Sequence, residues 1–249
     1  MIIALAQGGP DRAEEFIEIA KQRKAKAICF PELMGDYTLD MEQLYERAKD
    51  TEKKLKELSE DILIVCGMPE NDRYVKGVIY DSGFAVENGE VIGRYRKTHV
   101  HPSECSAFRA GNSLEVFDSE IGKIAIAICF DHAFPEIFRI YALKGAEIIF
   151  ILSAVPEGYE HLLELRTRAR AQDNQLFTVG CNACNSNFCG RSLIADPKGN
   201  IVAQAGRGEE LLFADIDLSS IEKERISEPV FRCRRDDLYS RELKKCLEQ

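Results

Sequence analysis

Long apolar runs, a basic surface and a spaced cysteine framework are all missing from this sequence, and each absence removes a class of protein. No uninterrupted apolar stretch approaches the roughly 20 residues that a membrane-crossing helix needs, so no membrane partner is expected. The opening MIIALAQGGPDRAEE has no positively charged leader, and its apolar run is too short for a secretory signal. Lys and Arg number 33 against 42 Asp and Glu, a formal net charge of -9. Neutralising a phosphate backbone takes clustered cations, so nucleic acid is not an expected partner either. The one dense basic string, FRCRRDDLY, is short and mixed with acids, and reads as solvated surface or a subunit contact. Nine cysteines, an odd number scattered through strand-like and helix-like segments, do not form the framework of a small secreted domain. A reduced, cytoplasmic chain is the expectation. No low-complexity segment or linker interrupts it, which predicts a single domain over 1–249.

What is present is a chain of 249 residues, 45% hydrophobic, in which short β-branched runs alternate with helix-like segments. The strand candidates are IIALAQ, AKAICF, DILIVCGMP, VIYDSGFAV, KIAIAICF, AEIIFILSA, LFTVGCNAC, GRSLIAD and LLFADIDL. The helix candidates run from Asp11 to Arg23, Met41 to Ser59, Phe134 to Lys144, Gly158 to Gln172 and Ser219 to Ile226. ENGE near Asn88 and DPKGN near Pro197 read as hairpin turns, so a mixed α/β sheet is predicted. The layout strand, helix, strand occurs twice, once from IIALAQ and once from IAIAICF, as two related halves packed face to face would require.

Three reactive side chains sit where a strand-like run ends, the place where open α/β sheets build their sites. They are Glu32 in AICFPEL, Lys97 in IGRYRKTHVHPSEC and Cys129 in IAICFDHAFPE. A thiol is mostly protonated at physiological pH, so a nucleophilic Cys129 needs a base and a cation, which Glu32 and Lys97 could supply. The backbone N–H of Phe130 would add a donor for an oxyanion. Each residue has a plainer reading: Cys129 as a core cysteine like Cys29, Glu32 as a turn residue, Lys97 as part of a basic face with Arg94, Arg96 and His99. A Cys–His pair using His99 or His132 is open on residue types alone. In CNACNSNFC, Cys181, Cys184 and Cys189 include a zinc-like spacing, but no second C-x-x-C or His pair accompanies it, so core and loop cysteines and no metal are expected.

The ordered strings FPEL, GRYRKTH with its following glutamate, ICFDHAFPE, RARAQDNQ, GRSLIADPKGN and ADIDLSSIEKER with RRDDLY resemble the successive signature segments of the nitrilase, or carbon–nitrogen hydrolase, superfamily. The resemblance implies a four-layer α-β-β-α sandwich, dimeric or larger, that hydrolyses non-peptide C–N bonds without metal or organic cofactor. It implies Glu32 as general base and acid, Lys97 as oxyanion stabiliser, Cys129 as nucleophile and Glu104 as a supporting carboxylate. Asp131 resembles the amidase and carbamoylase branches, so a small aliphatic amide is the expected substrate, with N-carbamoyl compounds and nitriles as alternatives. Many relatives carry arginine where this chain has Ala133, whose methyl cannot pair with a substrate carboxylate. Placement after strands makes His132, Ser153 and Ala154 candidate substrate contacts, and the segments after Glu32 and in LSAVPEGYEH candidate pocket walls. The connection before Glu32 is short, which predicts an open rim. A catalytically silent assembly protein on the same fold is the non-enzyme alternative. The tail, about 232–249, with Phe231 and Tyr239 as anchors, is expected at a homodimer interface.

Overall fold

The computed structural model describes residues 1–49 and 51–248. Its elements run in the order β1 (Ile2–Gln7), α1 (Ala13–Gln22), β2 (Ala27–Cys29), α2 (Met41–Arg47), α3 (Thr51–Leu58), β3 (Leu63–Asn71), β4 (Ile79–Glu87), β5 (Glu90–Arg96), β6 (Phe117–Ser119) and β7 (Gly122–Ile128). They continue with α4 (Pro135–Leu143), β8 (Ile148–Ser153), α5 (Glu160–Asn174), β9 (Phe177–Asn182), β10 (Leu193–Ala195), β11 (Ile201–Gln204), β12 (Glu210–Asp215), α6 (Ser219–Ser227), α7 (Val230–Cys233) and α8 (Asp236–Leu247).

Two six-stranded sheets result, ordered β12-β1-β2-β3-β4-β5 and β6-β7-β8-β9-β10-β11. Read in those orders the neighbours pair antiparallel, parallel, parallel, antiparallel, antiparallel in both sheets. The repeated strand-helix-strand layout of the sequence is therefore one part of a correspondence that covers both sheets. The last strand, β12, returns to the edge of the first sheet, where the Met1 ammonium holds Asp215 at 2.8 Å.

Alternation along β7 shows why the sheets stack. Ile124, Ile126 and Ile128 enter the cluster between the sheets, while Ala125 and Ala127 face outward. Successive side chains of a strand point to opposite faces, so the bulky residues fill the sandwich and the small ones let a helix approach. That helix is α4, which brings Ile137, Phe138 and Tyr141 against them. On the other side, Phe16, Ile17 and Ala20 of α1 and Leu55 of α3 cover Ala4, Ile28 and Ile64. Helix, sheet, sheet, helix is the four-layer arrangement that the sequence predicted.

The differences are local. The helix expected from Met41 to Ser59 is two helices, α2 and α3, and residue 50 lies outside the described residues, as does residue 249 of the tail. The strands β5, β6 and β11 and the helices α7 and α8 were not among the candidates, although the two hairpin turns implied β5 and β11; β6 has three residues and β11 four, too short to show periodicity. Both predicted hairpins are present: Asn88 and Gly89 (φ 50° and 79°) turn β4 into β5, and Gly199 (φ 77°) turns β10 into β11. No described helix is long and apolar enough to cross a membrane.

Candidate active site

Strand alternation sorts the cations of β5 and the residue that follows it. Arg94 and Arg96 point to one face, where both pair with Glu70, at 3.3 and 2.8 Å. Tyr95 and Lys97 point the other way, into the sandwich, and Lys97 is completely buried. A buried ammonium must be paired, and this one is paired three times. Its Nζ lies 2.6 Å from Glu32 Oε1, 2.7 Å from Glu104 Oε2 and 3.3 Å from Asp81 Oδ2.

Each carboxylate is delivered by a different device. Pro31 ends the strand direction, and Glu32 opens a tight turn in which Leu33 and Met34 adopt left-handed conformations (φ 49° and 56°). Gly67 of β3 lets this turn lie against the sheet, because a Cβ there would stand 2.7 Å from Glu32 Cα. Glu104 closes a one-turn capping box with His101, whose N–H donates to Glu104 Oε2 at 3.1 Å. The Tyr37 hydroxyl donates to Glu104 Oε1 at 2.7 Å. Asp81 comes from the middle of β4, and the amide of Lys97 donates to its backbone carbonyl at 2.9 Å.

Three carboxylates around one ammonium leave surplus negative charge out of water. Burial pushes the Glu32 carboxyl well above its ordinary range; Lys97 opposes this, and Asp81 and Glu104 add to it. Burial likewise raises Asp81, again against the pull of Lys97. For Lys97, burial favours loss of the proton, but the carboxylates of Glu32 and Asp81 outweigh it and hold the ammonium charged. Glu32 Oε2 and Asp81 Oδ1 have no hydrogen-bond donor, and Asp81 Oδ2 has only its 3.3 Å ion pair with Lys97. The two carboxyl groups lie in contact. Two carboxylates cannot bond to each other, whereas a carboxylate and a carboxylic acid can, so one proton shared by Glu32 and Asp81 satisfies the contact.

Cys129 begins the turn after β7 with φ 40°, the left-handed region that costs a residue with a Cβ about 1–3 kcal/mol. Asp131 over-determines this strained turn. Its Oδ2 accepts from the Ile128 N–H at 2.9 Å and the Tyr95 hydroxyl at 2.8 Å, and its Oδ1 accepts from the His99 N–H at 3.0 Å. The Cys129 turn is thereby fastened to the strand and loop that carry Lys97. Burial raises the thiol well above its ordinary value, and Glu32 adds to that; Lys97 and the backbone N–H of Ala154 pull it down. A thiol in this setting is protonated at rest and needs a base beside it to become a nucleophile.

Cys129 opens on a cavity of about 500 Å³ that Glu104, Phe130, His132 and Ala154 also line. Tyr37 and Leu39 from the segment after Glu32, and Val155, Pro156 and Tyr159 from the segment after β8, form walls, so both expected segments reach it. Glu32 and Lys97 lie behind this lining, fully buried. Ser153 is also fully buried and does not reach the wall, because it is the last residue of β8 and the chain turns toward the cavity one residue later. His132 is buried with Nδ1 unpartnered. Burial, then the charges of Arg166 and Arg170, push its imidazole down to about 3, so it stays neutral. The cysteines of CNACNSNFC point to separate partners: the Cys181 thiol donates to Cys29 O and the Cys184 thiol to Gln7 O, while Cys189 accepts from Asn182. Among the described residues no group of three or more His, Cys, Asp or Glu side chains is arranged to hold a metal ion.

The model of the carbon–nitrogen hydrolase family matches residues 4–225. This chain belongs to that family. Similar curated relatives include the 2-oxoglutaramate amidase of Bacillus subtilis, 34% identical over 92% of this chain and 92% of that protein, and the omega-amidase NIT3 of Saccharomyces cerevisiae, 31% identical over 96% and 94%. The crystal structure of Saccharomyces cerevisiae Nit3, of branch 10 of the nitrilase superfamily, superposes with a TM-score of 0.85 at 29% identity, covering 94% of this chain and 96% of that one. The carbon–nitrogen hydrolase described here is thus an enzyme of the amidase type on the nitrilase α-β-β-α sandwich. Sequence reasoning missed Asp81, whose only signal was a charge inside the apolar run VIYDSGFAV, and Arg166, a further cation on the cavity wall.

Proposed function

We propose that this hydrolase cleaves a small aliphatic amide through a thioester on Cys129, releasing ammonia and a carboxylic acid. The observation that carries the reading is the Lys97 ammonium clamped at 2.6 and 2.7 Å between Glu32 and Glu104, directly behind a cavity lined by the Cys129 thiol. The Glu32 carboxylate takes the thiol proton, and the sulfur attacks the amide carbon. Negative charge grows on the carbonyl oxygen and is met by the Lys97 ammonium and the backbone N–H of Phe130. The C–N bond breaks as Glu32 passes its proton to the leaving nitrogen, giving ammonia and the acyl thioester. Water then gives a proton to Glu32 and attacks the thioester, and the departing sulfur recovers that proton. Glu104, bonded by Tyr37 and the His101 amide, fixes Lys97 in place. The names of relatives, omega-amidase and 2-oxoglutaramate amidase, support an amide over a nitrile.

The test is intact-mass spectrometry together with ammonia release, on the wild type and Cys129→Ala, over a panel of amides, N-carbamoyl amino acids and nitriles. Ammonia and an acyl adduct that both depend on Cys129 are expected with an amide. Turnover that survives in a folded Cys129→Ala protein would sink the thioester. We further propose a homodimer to which the tail from residue 232 contributes.

A further inference from the structure

Three consecutive left-handed residues follow Glu32: Leu33, Met34 and Gly35, at φ 49°, 56° and 78°. Two of them carry a Cβ, which resists that region, so the shape persists only where neighbours impose it. Before Glu32 the sheet does this. The Phe30 N–H donates to the Val65 carbonyl at 2.8 Å and the Gly67 N–H to the Pro31 carbonyl at 3.2 Å. After Glu32 the restraint comes from a helix. Arg47, the last residue of α2, donates through Nη2 to the Leu33 carbonyl at 2.8 Å and through Nη1 to the Asp36 carbonyl at 2.6 Å. It also pairs with the Asp36 carboxylate at 3.2 Å.

Packing alone does not fix the turn on this side, because protein atoms leave a cavity of about 230 Å³ against Phe30, Met34 and Arg47, with Leu55 and Leu58 of α3 across it. The same guanidinium ties off the segment that begins the catalytic wall. Tyr37 and Leu39 lie between its anchor at Asp36 and Asp40, whose carboxylate caps α2 by accepting from the Glu42 and Gln43 amides, both at 3.0 Å. A planar fork holds two carbonyls in one fixed relation, which a single ammonium cannot do. We infer that Arg47 is a positioning residue of the reaction: it does not line the Cys129 cavity, but it holds the turn from Leu33 to Asp36 in the shape that presents the Glu32 carboxyl to Lys97 and the Cys129 thiol. A base displaced by about 1 Å can lose roughly 100-fold in rate, so this clamp bears on the chemical step. The inference rests on the reading of Glu32 as the base.

The test compares the wild type, Arg47→Met, Arg47→Lys and Glu32→Gln. With a reacting amide, Arg47→Met should lose roughly 10- to 100-fold in kcat, while KM stays within about threefold. Arg47→Lys should recover part of the loss. Alkylation of Cys129 by iodoacetamide, followed by the mass of the peptide that carries it, needs the thiol proton removed but no turnover. Glu32→Gln should slow it, and Arg47→Met should slow it as well. Exposed Cys105, Cys233 and Cys246 should react alike in all four proteins, and buried Cys29 and Cys66 should stay unlabelled. If Glu32→Gln leaves Cys129 as reactive as before, the base reading fails and the role of Arg47 falls with it. If Glu32→Gln slows Cys129 and neither Arg47 variant does, Arg47 alone fails. A loss confined to KM, or labelling of Cys29 and Cys66 in both Arg47 variants, would make the residue a support of the rim or of the fold and overturn the inference.

Discussion

Asp81 decides how acidic the Glu32 carboxyl can be. It contacts Glu32, lies 3.3 Å from Lys97 Nζ and is buried; Glu104 completes the charged groups that face it. In Asp81→Asn the amide can donate to Glu32 Oε2, one negative charge disappears, and Glu32 ionises more readily. The acid limb of kcat/KM, which reports the coupled pair, should move to lower pH; an unmoved limb would make Asp81 purely structural. Stability follows the same sign. An unfolded Asp titrates near about 3.9, and the folded value is raised, so the stability linked to its proton is fully present below about 4 and is lost as pH rises through the folded pKa. Asp81→Asn should therefore melt higher than the wild type at neutral pH, with the advantage shrinking as pH falls toward 4. Lys97→Ala has the opposite effect, leaving Glu32, Asp81 and Glu104 without their cation. It should lose turnover and about 3–5 kcal/mol of stability, measured by urea titration.

At the scale of elements, the site depends on turns held in shapes that side chains resist. The Glu32 turn lies against Gly67, where an added methyl would meet Glu32 Cα at 2.7 Å and Leu33 N at 2.8 Å, both backbone atoms that cannot swing aside. Gly67→Ala should cost about 1–3 kcal/mol and lower kcat more than it raises KM, since it displaces Glu32, the proposed base, and not the cavity wall. Equal kcat in a destabilised variant would show that the turn tolerates the shift. These elements also mark what the sequence could reveal. Glu32, Lys97 and Cys129 were legible because each follows a strand-like run, and the order of motifs joined them. Asp81 was not, because a mid-strand residue has no local signal of what lies across the sheet. Arg166 was not, because RTRARAQDN offers three arginines at every second position, and periodicity cannot say which of them faces a cavity. Ser153 misled for the reverse reason: the end of β8 and the wall of the cavity differ by one residue.

At the scale of the molecule, the two sheets share one pairing pattern, yet the site does not respect it. Glu32 follows β2, the second strand of its strand-helix-strand unit, whereas Cys129 follows β7, the first strand of the other. Equivalent positions in the halves therefore carry different chemistry, and recognising the repeat could not by itself locate the site. What the single chain leaves uncovered is its tail. Helix α8 has no buried residue, and Tyr239, Leu243 and Leu247, four residues apart on one face, are 43%, 62% and 87% exposed. A stripe of that kind on an isolated helix is more costly in water than against a second copy, where a twofold axis would pair it with itself. Sedimentation at micromolar concentration should show a dimer or larger assembly for the wild type, and Leu243→Asp should shift it toward monomer. The thermal midpoint extrapolated to low protein concentration should barely change, because Leu243 is 62% exposed within its own chain. A wild type that sediments as a monomer would remove the tail from the interface, and an assembly indifferent to Leu243→Asp would place the contact elsewhere on the sandwich.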